Sequence, residues 1–341
     1  MEKASYGNLR KNILAGPQHF LHGNPTMVPV IVLIFSIIIF GFLAGDRFFS
    51  AFNLSLIIQQ VSIIGILAAA QSLIIITAGI DLSNAAIMVL MSVIMGRLSV
   101  EAGVPVVPAI GIGIIGGGLA GAMNGYMVAR FKLPPFIVTL GTWSIFFALN
   151  LWLSDAQSIR SQDIDDKAPL LKFFGKTVEI PFGESEASFT YGSFLMVVLF
   201  AVLWFILNKT AWGRHVYAIG DDKDAAELSG IRTNRVLISV YIVAGVLCAI
   251  GSWASIGRVG SISPQAFYEG NLKSITAVVI GGISLFGGRG SIIGSVIGAL
   301  IVGVFESGLR IAGLDVLWQV FAIGWLIIIA VLIDNWIRQL A

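Results

Sequence analysis

Charge is what this chain has least of: 12% of its 341 residues are Asp, Glu, Lys or Arg, against 57% hydrophobic. Water-soluble domains carry about twice that charged share, so a single soluble core is excluded. Several apolar runs approach the length of about 20 residues that a bilayer requires. Cysteine is almost absent, and the lone Cys248 excludes an intrachain disulfide and reads as a small core residue. Only three histidines occur, His19, His22 and His215, none spaced with acids or thiols as a metal site or catalytic triad. No enzymatic chemistry is expected, and no metal. The net charge of +2 comes without a polybasic tract, so nucleic acid is not an expected partner.

Nucleotide-binding loops are missing as well. Gly175-Lys176-Thr177 imitates the end of a phosphate loop, but Leu170 stands where that loop needs Gly. Gly111, Gly113 and Gly116 spell GxGxxG inside an apolar run, without the soluble strand and later acid that a dinucleotide site needs. No cofactor is expected in this chain, and any coupling to ATP has to come from a partner.

What is present is hydropathy. Apolar segments lie near residues 28–44, 57–79, 83–100, 106–129, 136–153, 192–208, 235–256, 274–287, 290–310 and 316–334. They predict an all-α polytopic membrane protein of about ten transmembrane helices, with residues 28–338 as a single membrane domain. The junctions Gly79 to Ser83 and Gly287 to Gly290 set off pieces shorter than a bilayer and predict broken or re-entrant segments. Eight full spans plus half-spans is the other count. Residues 1–27 carry Lys3, Arg10 and Lys11 with no apolar core leading to a cleavage site, and read as a cytoplasmic tail. Ten spans from a cytoplasmic start put both termini inside. Twelve of the 21 basic residues then fall inside, among them Arg130, Lys132 and the cluster from Lys209 to Arg235, as the positive-inside preference favours. The outer face receives one long polar loop, 155–190. Its Asp163, Asp165, Asp166, Glu184 and Glu186 are expected to form a solvated surface, with partner docking as the second reading.

Glycine recurs every fourth residue in two segments, as Gly113, Gly117, Gly121 and Gly125 and as Gly290, Gly294 and Gly298. Each series predicts one helix face packed tightly on a neighbour, because small residues let backbones approach in lipid. In GIDLSNAA, Gly79 can interrupt one helix while Asp81 or Ser83 caps the next. That stretch reads either as a helix terminus facing a translocation route or as a capped turn at the membrane boundary. Gln60, Asp81, Ser83, Asn124, Thr139, Thr142 and Asn150 are the candidate polar lining of such a route, and interhelical hydrogen bonding explains them equally well. Ionisable groups are few within the apolar segments, which speaks against ion-driven transport.

Between two apolar segments stands GDDKDAAELSGIRTNR, residues 220–235, soluble in composition and helix-prone. Asp221 or Asp222 can cap a short helix over Asp224 to Ser229, and Gly230 can end it in the left-handed conformation. Asp224, Ala225 and Ala226 with the following Gly230 resemble the EAA-x-x-x-G pattern of importer permeases driven by ATP-binding cassettes, with Asp in place of Glu. The alternative is an ordinary capped loop helix.

The blocks ITAGIDLSNAA, LPPFIVTLGT, TAWGRHVYAIGDDKDAAELSGI and SITAVVIGGISLFGGRGSIIGSVIGALIVG, in that order, resemble the permeases of bacterial ABC importers for ribose, xylose, galactose and fructose. Asn84-Ala85 departs from the Val-Gly common in the family. The outer segment APLLKFFGKTVEIPFG and the ending WIRQLA are most similar to fructose permeases. The resemblance implies an inner-membrane permease domain working as a homodimer. Its partners would be a cytoplasmic ATPase that binds the ATP and a periplasmic sugar-binding protein that delivers the substrate. It further implies that loop 209–235 is the ATPase-coupling loop, with Asp221, Asp222, Asp224, Ala225, Ala226, Glu227 and Gly230 at the contact. The rival readings are an ion-coupled secondary sugar transporter, a facilitator, and a membrane scaffold.

Overall fold

A computed structural model describes residues 27–182 and 185–338; the N-terminal tail with Lys3, Arg10 and Lys11, and the loop residue Glu184, lie outside the described residues. The elements in chain order are α1 (Met27–Ala44), α2 (Asp46–Phe49), α3 (Ala51–Ile76), α4 (Asn84–Gly96, continued by a π turn, Arg97–Glu101), α5 (Val106–Arg130) and α6 (Pro135–Ser154). Then come α7 (Ser161–Lys167), a 3₁₀ turn (Pro169–Gly175), the strands β1 (Thr177–Phe182) and β2 (Ser185–Thr190), and α8 (Tyr191–Lys209). The remainder is α9 (Ala211–Asp221), α10 (Lys223–Leu228), α11 (Thr233–Val259), α12 (Gly270–Ile280), α13 (Ile292–Ile311) and α14 (Val316–Arg338).

Among the described residues, eight helices are long and apolar enough to cross a membrane. Two more apolar helices, α12 and α14, bring the number to ten. With 11 residues, α12 rises about 16 Å, roughly half the hydrocarbon thickness. The protein is therefore an all-α polytopic membrane protein with a half-length internal helix. The expected segment 274–287 stops at Ile280, and residues 281–291 form a turn-rich loop.

Helix α3 forms the axis of the fold. It is apolar on all sides and buried along most of its length, touching α8, α11, α12 and α13. Helices α5 and α11 run antiparallel in close contact. A Cβ at Gly117 would strike the Gly245 carbonyl, one at Gly121 the Tyr241 carbonyl, and one at Gly125 the Ile238 backbone. Gly113 instead faces the Met95 side chain. The second series is shorter than its spacing suggests. Gly294 and Gly298 lie on the carbonyls of Gly281 and Ala277 across the α12–α13 crossing. Gly290 precedes the helix, at φ +117° in the loop, and Ser291 is the N-cap. An αL-like glycine cannot continue a right-handed helix, so Gly290 is a turn residue and not part of the packing face.

One end of the bundle gathers α9, α10, the end of α3 and the 281–291 loop. The other gathers residues 155–182 and 185–190, which fold back on the helices. β1 and β2 pair antiparallel from Thr177 with Thr190 to Phe182 with Ser185, and Gln59 donates to the Ser188 carbonyl at 2.7 Å. Ile164, Ala168 and Leu171 are buried, while Asp163, Asp165, Asp166 and Glu186 remain exposed. Asp165 pairs with Lys172 at 2.6 Å.

Candidate docking helix and membrane core

At the first end, Thr210 caps α9 by accepting from the Gly213 amide at 3.2 Å. Tyr217 donates to the Gly290 carbonyl at 2.9 Å, and burial pushes its phenol above the ordinary value, so it stays a donor. Of the two cap candidates for α10, the structure selects Asp222. Its Oδ1 accepts from the amides of Asp224 and Ala225, each at 2.9 Å, whereas Asp221 closes α9. Helix α10 covers Lys223–Leu228, and Ser229 is its C-cap. Gly230 stands at φ +87°. The Ile231 amide reaches the Ala226 carbonyl at 3.1 Å and the Gly230 amide the Glu227 carbonyl at 3.0 Å. That pair of bonds is a Schellman stop, which a left-handed glycine makes inexpensive.

The short helix has a seated face and a free face. Ala226, 4% exposed, packs with Ala129, Ile219 and Leu237, so α10 rests on the ends of α5 and α11. Asp224, Ala225 and Glu227 face outward, and Leu228 is 90% exposed. The sequence reading did not single out Leu228; an apolar residue two positions after the seated alanine was the available signal. Behind the helix, Gly220 lies directly on the Ile76 carbonyl and the Gly288 amide, and that amide donates to Ile76 at 2.9 Å. A displacement of α9 and α10 therefore reaches the end of α3 and the loop before α13 without an intervening flexible element.

The GIDLS stretch is not an open turn with exposed amides. Asp81 is buried, and its Oδ1 accepts from the amide and hydroxyl of Ser83, both at 2.6 Å. Asn124 donates to the Ser83 hydroxyl at 2.8 Å. The Thr139 hydroxyl lies 3.1 Å from the Ile80 carbonyl and accepts from the Leu82 amide at 3.1 Å. The start of the half-helix α12 locks onto this break. Asn271, in the first turn of α12, donates to the Leu82 carbonyl and accepts from the Ala85 amide at 2.7 Å. Backbone freed by a broken helix has to be satisfied by protein or water, and these side chains do so.

Asp81, Ser83, Asn124 and Thr139 thus form one network. Gln60, Thr142 and Asn150 stand apart from it. Thr142 bonds to the Thr139 carbonyl of its own helix at 3.3 Å, Asn150 reaches Pro264, and Gln60 keeps a buried oxygen without a hydrogen-bond partner. Sequence reasoning missed Gln71, whose amide meets that of Asn84 at 2.7 Å, and Asn271.

Few ionisable groups are expected in the spans, and one acid lies buried in α13. Glu306 of α13, 7% exposed, pairs with Lys273 of α12 at 2.7 Å. Lys273 also lies 3.5 Å from Glu269. The single acid in VGVFESG was the only sequence signal. Its partner sits at the start of a half-helix, where a hydropathy window placed it outside the span.

Span-length helices, a break at Gly79 to Ser83 locked by the start of a half-helix, and a short helix seated at one end make the architecture of a membrane permease subunit. Sequence comparison supplies the particular family: the model for the permease component of branched-chain amino acid transport systems matches residues 53–331, and the chain belongs to that family. It is similar to the fructose import permease protein FrcC of Rhizobium meliloti, 55% identical over 338 residues, which cover 99% of this chain and 93% of the relative. The ribose import permease protein RbsC of Bacillus subtilis is 36% identical over 302 residues, covering 89% and 90%. The D-allose transport system permease protein AlsC of Escherichia coli is 33% identical over 308 residues, covering 90% and 91%. No solved structure matches the chain.

Proposed function

We propose that this chain is the membrane-spanning subunit of an ATP-driven monosaccharide importer in a bacterial inner membrane. Both termini are cytoplasmic, and the chain works as a homodimer. A cytoplasmic ATPase binds the ATP, since no nucleotide loop occurs in this sequence, and a periplasmic binding protein delivers the sugar. The similarity to a fructose permease at 55% identity favours fructose. The observation that carries the reading is α10: capped at both ends, seated through Ala226, and presenting Ala225 and Leu228 outward beside acidic groups. A small apolar tip rimmed by charge suits a groove on a partner protein. Closure of the ATPase would push α10, and the push would pass through Gly220 to α3 and the 281–291 loop, opening the permeases outward. Hydrolysis would reset them inward.

The test is to tag the chain, solubilise native membranes mildly and identify what copurifies. A protein with two nucleotide-binding domains, crosslinked through positions 221–235, is the expected result. If no ATPase is recovered even after crosslinking, the reading loses its support. Ion-coupled sugar uptake is the second reading, favoured by the buried Glu306 paired with the half-buried Lys273, because secondary transporters keep carboxylates at depth. It requires uptake in vesicles driven by an ion gradient without ATP.

A further inference from the structure

Between α4, α6 and the non-helical strap 260–269 lies a cavity of about 20 Å³, room for about one water molecule. Four of its eleven lining residues are aromatic: Trp143, Phe147, Phe267 and Tyr268. Trp143 and Phe147 stack with centroids 5.8 Å apart and 10° between planes, and Tyr268 meets Trp143 edge-on at 6.0 Å. Asn150 and Gln265 add the polar groups. Asn150 is buried and donates through Nδ2 to the Pro264 carbonyl at 2.5 Å, while its Oδ1 has no hydrogen-bond partner. An unsatisfied buried acceptor costs about 1–3 kcal/mol, and a hydroxyl donor entering the cavity would remove that cost.

Flat rings beside a few amides match the chemistry of a monosaccharide, whose C–H face packs on aromatics while its hydroxyls meet amides. The strap is what closes the space. Phe267 holds a left-handed φ of +53°, and bonds from Asn150 to Pro264 and between Ile159 and Ile262 hold the strap down. On its other side a second cavity of about 10 Å³ is lined by Ser92, Ser255, Ser261 and Ser263 and shares Val89, Ala266 and Phe267 with the first. Lifting Ala266 and Phe267 would join the two cavities into one polar-edged pocket.

We propose that Trp143, Phe147, Asn150, Gln265 and Tyr268 form a monosaccharide subsite in the permease, narrowed here by the strap 260–269. This rests on the import reading above, and adds to it that the permease itself recognises the sugar. Cys248 is buried, so one introduced thiol can report on the site. The permease carrying Gln265→Cys is reconstituted with its ATPase and binding protein, and the rate of maleimide labelling is measured with and without D-fructose, D-ribose or D-allose. A transported sugar should slow labelling at least about fivefold, the effect of about one hydrogen bond, and leave an exposed control, Gln157→Cys, unchanged. Trp143→Leu should cut the sugar moved per ATP hydrolysed about tenfold while sugar-stimulated hydrolysis persists. Unchanged labelling at position 265 during active uptake, or equal slowing at both positions, overturns the subsite. If the wild-type complex transports none of the three sugars, the import reading falls, and the subsite with it.

Discussion

Position 230 concentrates the demands on the docking helix in one residue, because its φ of +87° costs an L-residue about 1–2 kcal/mol. Gly230→Val should unwind the stop of α10, and Ala226→Asp should place a carboxylate among Ala129, Ile219 and Leu237. Both variants should insert in the membrane at normal abundance yet lose ATP-driven uptake; full uptake by both would refute the coupling role. A second residue-level contrast lies on α5. Adding a Cβ at Gly121 meets the Tyr241 carbonyl, whereas at Gly111 nothing lies within 4 Å. Gly121→Ala should therefore destabilise by about 1–3 kcal/mol through overpacking, and Gly111→Ala should not. Thermal unfolding in detergent separates them. The four-residue spacing made this face legible in the sequence. Gly290 broke the parallel inference, because spacing does not report φ.

At the level of elements, α10 owes its start to Asp222. Asp222→Ala should weaken the helix by about 1 kcal/mol, and Asp222→Asn should restore most of that. The yield of copurified ATPase is the readout, and equal yields across the three proteins would show that the cap is irrelevant to docking. The half-helix α12 depends on a different element. Removing Lys273 takes away the ammonium 2.7 Å from the buried Glu306 carboxylate, which is destabilising because a buried charge loses its partner. Lys273→Met alone should lower thermal stability far more than Lys273→Met combined with Glu306→Leu. Additive losses would show that the two groups act independently. The cap was readable from GDDKDAA because capping is local. The ion pair was not, because its members lie 33 positions apart and meet only through the α12–α13 crossing.

For the whole molecule, the two ends should face opposite compartments. An impermeant maleimide applied to intact cells should label Gln157→Cys and leave Ser229→Cys unlabelled, and the reverse pattern would invert the orientation. The break at Gly79 to Ser83 and the start of α12 also act together, since Asn271 of α12 holds Leu82 and Ala85. Any movement that opens the break has to release α12, while α10 rests on the ends of α5 and α11.

Composition by itself determined the membrane class, because so little charge cannot cover a soluble surface. Local sequence determined most of the spans, a capped short helix within a residue of its ends and the glycine face of α5, since hydropathy, capping and small-residue spacing act within a few turns of chain. Only the tertiary structure decided that Asn124 bonds Ser83 while Thr139 bonds the backbone of Ile80 and Leu82, that Glu306 has a cation, and that Asn150 keeps an oxygen unpartnered beside Trp143. Those facts depend on which distant segments meet, and in a chain that is apolar on nearly every side, hydropathy alone does not specify the partner of each helix.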